Sequence, residues 1–152
     1  SPSSYAQRKP AVKATVDFAS KFLDGHKSAS HELTCTTISP QMLLLMAGQN
    51  EQSPYKALLL AAKSMRIVSV EHLRHRAKYA ESVDSLLAAH SSRFTHYKSE
   101  GEVSVYVRRR KEHIVEAIFV QRADDVYMLF TVITGRLTDD LIHQLLYQQH
   151  LS

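Results

Sequence analysis

Four consecutive cations, Arg108, Arg109, Arg110 and Lys111, are the residues of this chain best suited to bind another molecule. They follow a strand-like segment and fall where a hairpin turn is predicted, so that their charges crowd one corner. Like charges repel one another there unless salt screens them or an anionic partner binds. Together with Tyr106 on the preceding strand, this basic corner (Arg108–Lys111) is our predicted binding surface. The alternative is a solvated turn without a partner.

Two other sets of residues could carry chemistry, at a metal ion or at a nucleophile. His72 and His75 are three residues apart in a predicted helix and could share a metal ion, but no third ligand accompanies them at metal-binding spacing. We therefore predict a solvated helix face and no metal site. Cys35 and His31 would share a strand face about 13 Å apart, at roughly 3.3 Å per residue. That is too far for a nucleophile and its base, so Cys35 is predicted to be a buried strand residue.

Paired carboxylates occur twice, at Asp124-Asp125 and at Asp139-Asp140, and such pairs can serve acid–base catalysis. Each pair falls where local structure favours a carboxylate, the first in a hairpin turn and the second at a helix start. The chain has no GxSxG, P-loop or GxGxxG motif, and only four glycines from which to build a phosphate-binding loop. We predict no catalytic residues and no cofactor.

Three segments that alternate in polarity must position the basic corner: EVSVYV, HIVEAIFV and VYMLFTVI. Alternation at a period of two in Val, Ile, Tyr and Phe, with short polar breaks, predicts a C-terminal β-meander. Further strands are predicted at Leu33–Ile38, Met65–Val70 and Arg93–Lys98. The predicted fold class is α+β, an antiparallel sheet with helices packed mainly on one face.

Five helices are predicted from apolar spacing, caps and breakers. The first begins near Pro10 and ends at Gly25. The next two open at Ser39-Pro40 and at Ser53-Pro54, and the first of these, apolar nearly all round, is expected to be buried. The longest runs over Glu71–His90 with Leu73, Ala77, Ala80, Val83 and Leu87 on its apolar stripe. Thr138 is predicted to cap the last helix.

Length and composition limit the organisation of the chain. Its 152 residues, 44% hydrophobic, suffice for one core, so we predict a disordered leader over 1–9 and a single α+β domain over 10–152. The formal net charge of +4 is a modest surplus, and no tryptophan is present to stack on bases, so nucleic acid is not an expected partner. One cysteine excludes an intrachain disulfide. No apolar run approaches the roughly 20 residues that span a bilayer, so the chain as given is expected to be soluble.

Several segments resemble the domain of unknown function family 4252, found in small proteins exported to the cell envelope of Gram-negative bacteria. They are TTISPQMLLLMAG, LLLAAKSMRIVSV and the run from EVSVYV to LIHQL, so that the similarity spans roughly Glu32–Leu146. The resemblance implies a periplasmic or outer-membrane-attached protein after export. It supplies no catalytic motif, and position 1 is Ser1 rather than a lipid-anchoring cysteine. It also leads us to expect that two copies can pair through an edge strand.

Two function classes follow from these observations. The favoured one is a non-enzymatic envelope module that binds a protein partner through the basic corner and an open sheet face carrying Glu102, Ser104, Tyr106 and Arg108. The alternative is an enzyme or small-ligand binder whose site is assembled from dispersed polar residues, recognisable by a pocket with convergent His or Asp side chains. A third hypothesis is contact of the basic corner with an anionic membrane surface.

Overall fold

The computed structural model describes residues 16–49 and 56–151, so the predicted leader, the predicted start of the first helix and Ser53-Pro54 lie outside the described residues. Within them, helices and strands follow in the order α1 (Phe18–Asp24), β1 (Leu33–Ile38), α2 (Pro40–Gln49), α3 (Lys56–Ala61), β2 (Ala62–Val70), α4 (Arg76–Ala89), β3 (Thr95–Glu100), β4 (Val103–Arg110), β5 (His113–Gln121), β6 (Met128–Leu137) and α5 (Asp139–Leu151). Short 3-10 turns at Lys27–Glu32 and Leu73–His75 precede β1 and α4. No helix among these residues is both long and apolar enough to cross a membrane.

The six strands form one antiparallel sheet in the order β1-β2-β6-β5-β4-β3. Strands β3 to β6 are neighbours in sequence and in space, which confirms the predicted α+β class and its C-terminal β-meander. Strand β2 pairs with β6 at the other side of the meander and carries β1 on its outer edge. This long-range pairing brings the start of β2 beside the end of β6.

Helices cover both faces of the sheet, which differs from the expectation that they pack mainly on one. One core combines α1 and α4 with the sheet residues Val68, Ile118, Phe130 and Val132. The other core combines α2, α3 and α5 with Val105, Ala117, Phe119 and Ile133 on the opposite face. The central strand β5 carries apolar residues on both faces, as a strand buried between two layers does. The sequence pattern predicted this strand, but it did not predict that helices cover both faces.

The sheet face that we expected to be open is closed by α1, α4 and polar contacts. Ser104 is buried, and Arg108 and Tyr106 are half-buried. Only Glu102, which precedes β4, is exposed among the four residues assigned to that face. An open binding face on β4 is therefore wrong, because the helices from both halves of the chain cover more of the sheet than the strand pattern indicated.

Helix α2 begins where the caps predicted, but it is not buried. The Met42 N–H donates to the Ser39 hydroxyl at 3.2 Å, and the helix starts at Pro40. Leu43 and Ala47, four residues apart, are buried in the core, and the half-buried Met46 packs against it. Met42, Leu44 and Leu45 are 48%, 60% and 55% exposed, so an all-apolar helix lies on the surface with one buried stripe.

Helix α4 begins five residues later than predicted, after the 3-10 turn Leu73–His75, and a buried arginine stands at its start. Arg76 is 3% exposed at the helix start, and its guanidinium donates to the carbonyls of Gln121, Val126 and Met128 at 2.6–2.7 Å. The buried stripe is therefore Arg76, Tyr79, Val83 and Leu87, while Leu73 and Ala77 are exposed. Arg76 fastens the loop between β5 and β6 to the helix.

Candidate functional site

Arg108, the first residue of the basic corner, is part of the fold. It lies opposite Glu116 in the β4–β5 register, and its Nε and Nη2 atoms donate to Glu116 Oε1 at 3.1 and 3.0 Å. Glu116 is 1% exposed, and its Oε2 accepts the Phe18 N–H of α1 at 2.7 Å. A buried carboxylate needs such partners, so Arg108 neutralises Glu116 and is unavailable to a ligand.

Arg109 points to the other side of the sheet and also has a carboxylate partner. Its Nη1 and Nη2 atoms donate to the two Asp139 oxygens at 3.0 and 3.3 Å. This hydrogen-bonded carboxylate raises the pKa of Arg109. Asp139 lies in the first turn of α5, where a carboxylate also favours the helix dipole. The pair therefore fastens the start of α5 to the β4 end of the hairpin.

Tyr106 is likewise engaged within the protein. Its hydroxyl accepts from Arg122 Nη2 at 3.3 Å, while Arg122 Nη1 donates to Asp84 of α4 at 2.7 Å. The Tyr106 ring packs edge-on against His96 of β3, with 5.2 Å between ring centroids. Of the five predicted site residues, these contacts leave Arg110 and Lys111 as the candidates that face solvent.

Arg110 and Lys111 line a pocket of about 290 Å³, called the basic pocket below. Five of the residues that line it have side chains with a basic nitrogen: Lys63, Arg110, Lys111, His113 and Arg136. Val115 and Gly135 complete the lining, which includes no carboxylate. The site thus gathers basic groups from β2, β4, β5, β6 and the β4–β5 turn.

Local backbone geometry shapes the wall and floor of the basic pocket. The turn between β4 and β5 consists of Lys111 and Glu112, and Lys111 takes a left-handed φ of 59°, which is uncommon for a residue other than glycine. Gly135 on β6 approaches the junction of α3 and β2 so closely that a Cβ there would lie 2.9 Å from the Cα of Ala62. Only glycine lets the two main chains meet, so Gly135 keeps Lys63 and Arg136 side by side.

His113 and Arg136 contact each other across β5 and β6. The Arg136 Nε and Nη2 atoms lie 3.2 and 3.0 Å from His113 Nε2. A guanidinium can only donate, so His113 Nε2 accepts and carries no proton in this arrangement. The imidazole is half-buried, whereas Lys63, Arg110, Lys111 and Arg136 are exposed.

The basic pocket is electrostatically unbalanced. None of its four permanent cations forms an ion pair with a described carboxylate, in contrast to Arg108 and Arg109. Convergent cations without counter-charge raise the local concentration of anions and favour an oxyanion at their centre. The arrangement can therefore bind an anionic group, and nothing in it suggests a nucleophile.

Three residues of the basic pocket were not predicted: Lys63, His113 and Arg136. The hairpin register alone would have placed His113 opposite Arg110, since only two residues separate them. Lys63 could not have been found in this way, because its place depends on the pairing of β2 with β6.

Of the other residues considered for chemistry, His75 and Cys35 are held in structural contacts. His75 Nε2 lies 2.9 Å from Glu32 Oε2, while His72 is exposed, and no group of three metal-ligating side chains occurs among the described residues. Cys35 is half-buried on β1, with its sulfur 3.5 Å from Arg66 Nη2, and His31 lies outside the strand. Asp124-Asp125 lie in the loop between β5 and β6.

The Glu32 carboxylate has a strongly lowered pKa. The Tyr79 hydroxyl donates to its Oε1 atom at 2.6 Å, and Lys78 donates to the same oxygen at 3.1 Å. These hydrogen bonds, together with His75, lower the pKa of Glu32 to about 2. Glu32 is therefore ionised across the neutral range and links the segment before β1 to α4.

A second concavity, the α1–α4 cleft, has a volume of about 530 Å³. Lys21, His26, Lys78 and Glu81 provide its charged and imidazole groups, and burial lowers the pKa of Lys21. The cleft is wide and its lining mixes both charge signs, so it points to no single ligand chemistry.

One histidine does contact a hydroxyl in the geometry of a base and a nucleophile. His96 Nε2 lies 2.9 Å from the Ser99 hydroxyl on β3. Among the described residues no carboxylate contacts His96, so the group that would orient the base is lacking. The pair is exposed and lies outside both concavities.

No family model matches the chain, and no curated protein or solved structure is significantly similar to it. The resemblance to the domain of unknown function family 4252 therefore stays a prediction that rests on the quoted segments.

Proposed function

We propose that this protein is a non-enzymatic binding module that recognises an anionic group on a partner protein of the bacterial cell envelope. The observation that carries the proposal is the convergence of Lys63, Arg110, Lys111 and Arg136 on one pocket lined by no carboxylate. The envelope location, periplasmic or attached to the outer membrane, is supported by the resemblance of the segments within Glu32–Leu146 to exported proteins.

Charge repulsion supplies the physical reason for binding. Cations gathered at one site repel one another, although water and salt screen exposed side chains, and an anion that binds among them relieves this repulsion. Charge-assisted hydrogen bonds from guanidinium and ammonium groups are also shorter and stronger than neutral ones. An anion is therefore favoured in the basic pocket both because it removes repulsion and because it accepts these bonds.

The test compares two double variants that lose the same charge. Arg110→Gln with Arg136→Gln removes two cations from the basic pocket, whereas Lys27→Gln with Arg74→Gln removes two exposed cations outside it. Sulfate is titrated into isotope-labelled protein, and amide shifts are followed by NMR. We expect saturable shifts at residues 110–113 and 135–136 in the parent and in the control, and at least about tenfold weaker binding in the pocket variant. Equal affinity in both double variants would overturn the proposal.

The partner class is tested with the same proteins. Each is tagged and used to capture proteins from bacterial envelope extract, followed by mass spectrometry and by a binding measurement with the purified candidate. We expect a protein that the parent and control retain and the pocket variant loses. Co-sedimentation with vesicles of phosphatidylglycerol that shows the same dependence, without any such protein, would replace the protein partner by an anionic membrane surface.

The α1–α4 cleft is the feature that supports the alternative of an enzyme or small-ligand binder. Lys21 there has a lowered pKa and His26 lies on the same rim. A metabolite screen by thermal shift, repeated with Lys21→Met, tests this alternative. A ligand that stabilises the parent and not Lys21→Met would favour it over the binding module.

A further inference from the structure

We infer that the basic pocket takes a doubly charged tetrahedral oxyanion, a phosphate or sulfate group, and that His113 gains a proton when this group binds. The inference rests on the proposed function and adds the chemistry of the ligand and its coupling to pH. It starts from the contact between His113 and Arg136 and from the separate strands that contribute the cations.

The number and placement of the cations favour a tetrahedral dianion over a carboxylate. Lys63 lies on β2, Arg110 at the end of β4 and Arg136 on β6, so donors reach the pocket from separate strands. A planar carboxylate offers two oxygens on one edge, whereas a tetrahedral group presents oxygens to several sides. A dianion also neutralises more of the charge that the four cations bring together.

His113 is the group that responds to the ligand. Its Nε2 atom accepts from Arg136, and every other charged side chain that lines the pocket is a cation. The nearest carboxylate in sequence is the exposed turn residue Glu112, which does not line the pocket. A bound dianion draws the Arg136 guanidinium toward its oxygens and stabilises the imidazolium form, which then donates a hydrogen bond of its own.

Anion binding is therefore coupled to proton uptake, and affinity falls as the pH rises. Histidine is the side chain whose ordinary pKa places this change between about pH 5 and pH 8.

The experiment is calorimetry of sulfate binding to the whole chain in two buffers of different protonation enthalpy. Sulfate is chosen because it remains a dianion throughout this pH range, so the proton count belongs to the protein. The parent should take up a fraction of one proton per sulfate and should bind acetate at least about tenfold more weakly. His113→Gln keeps a side chain that can accept from Arg136 and donate to an anion, and should bind sulfate without proton uptake. His72→Gln, an exposed histidine outside the pocket, should behave as the parent.

The outcomes separate the two proposals. Sulfate binding without proton uptake, uptake that persists in His113→Gln, or acetate binding as tight as sulfate would overturn the inference and leave the anion-binding module standing. If neither ion binds, both are overturned. Inorganic phosphate and vesicles of phosphatidic acid then compare the same group free and on a lipid. Binding of either carrier supports the inference on the ligand chemistry, and tighter binding to the vesicles than to inorganic phosphate would replace the protein partner by an anionic membrane surface.

Discussion

Replacing Arg108 by Met should destabilise the fold far more than the same change at Arg109 or Arg110, although the three are consecutive arginines. The Arg108 side chain is 20% exposed and its partner Glu116 is 1% exposed. The Arg109 side chain is 40% exposed and its partner Asp139 is 57% exposed. The substitution at Arg108 therefore leaves a buried carboxylate whose one remaining hydrogen-bond donor among the described residues is the Phe18 N–H, whereas Asp139 stays hydrated.

The magnitudes follow from this difference in burial. Removing one partner of a buried ion pair typically costs 3–5 kcal/mol, and the partial exposure of Arg108 places the expected loss at about 3 kcal/mol. An exposed pair contributes about 0–1 kcal/mol, so Arg109→Met should cost less than about 1 kcal/mol. Arg110→Met, which removes no ion pair with a described residue, should stay within about 0.5 kcal/mol of the parent.

Urea unfolding followed by circular dichroism measures these values. With a slope of about 2 kcal/mol/M, a loss of 3 kcal/mol lowers the midpoint by roughly 1.5 M for Arg108→Met, against less than about 0.5 M for Arg109→Met. Adding Glu116→Gln to Arg108→Met removes the unpaired charge but keeps an acceptor for the Phe18 N–H. The double variant should therefore recover part of the loss. Midpoints for Arg108→Met and Arg109→Met that agree within error would refute the assignment of Arg108 to the core.

Three further predictions concern other contacts of the fold. Because the Tyr79 hydroxyl and its neighbours lower the pKa of Glu32 to about 2, the stability gained from its ionised form is complete above its ordinary pKa of 4.5 and is lost as the pH falls toward 2. The stability difference between the parent and Glu32→Gln should accordingly shrink over that range in urea titrations. Gly135→Ala should cost at least about 2 kcal/mol through its main-chain clash, whereas Gly48→Ala, with no atom within 4 Å of the added Cβ, should stabilise α2 by about 0.5 kcal/mol in the same assay. Arg76→Met should lower the free energy of unfolding by about 3 kcal/mol, because three part-buried carbonyls lose their donor. It should also speed amide exchange in the loop between β5 and β6. Unchanged exchange there would contradict the role of Arg76 in holding this loop.

The order of the meander strands and the starts of two helices could be predicted because they depend on neighbours in sequence. Alternation at a period of two marks β4, β5 and β6, and hairpins joined by short turns must pair next to each other. Ser39 and Thr138 cap helices within three residues of their own positions, so their hydroxyls act where the sequence places them. The basic corner was visible for the same reason.

The role of each cation within that corner was decided by tertiary structure. A period of two places Arg108 and Arg109 on opposite faces of the strand. It does not predict that Glu116 and α1 lie on the Arg108 face and α5 on the Arg109 face. The apolar faces of α2 and α4 were predicted imperfectly because the neighbouring layers select which stripe is buried.

The sequence by itself determined the local elements of this protein: its alternating strands, its helix caps and a turn crowded with positive charge. Tertiary structure alone decided that β2 pairs with β6, and this pairing adds Lys63 to Arg110, His113 and Arg136 to form the basic pocket. The physical reason is that strand periodicity fixes the face on which a side chain lies, whereas the neighbour across a sheet is chosen by the burial of both layers together.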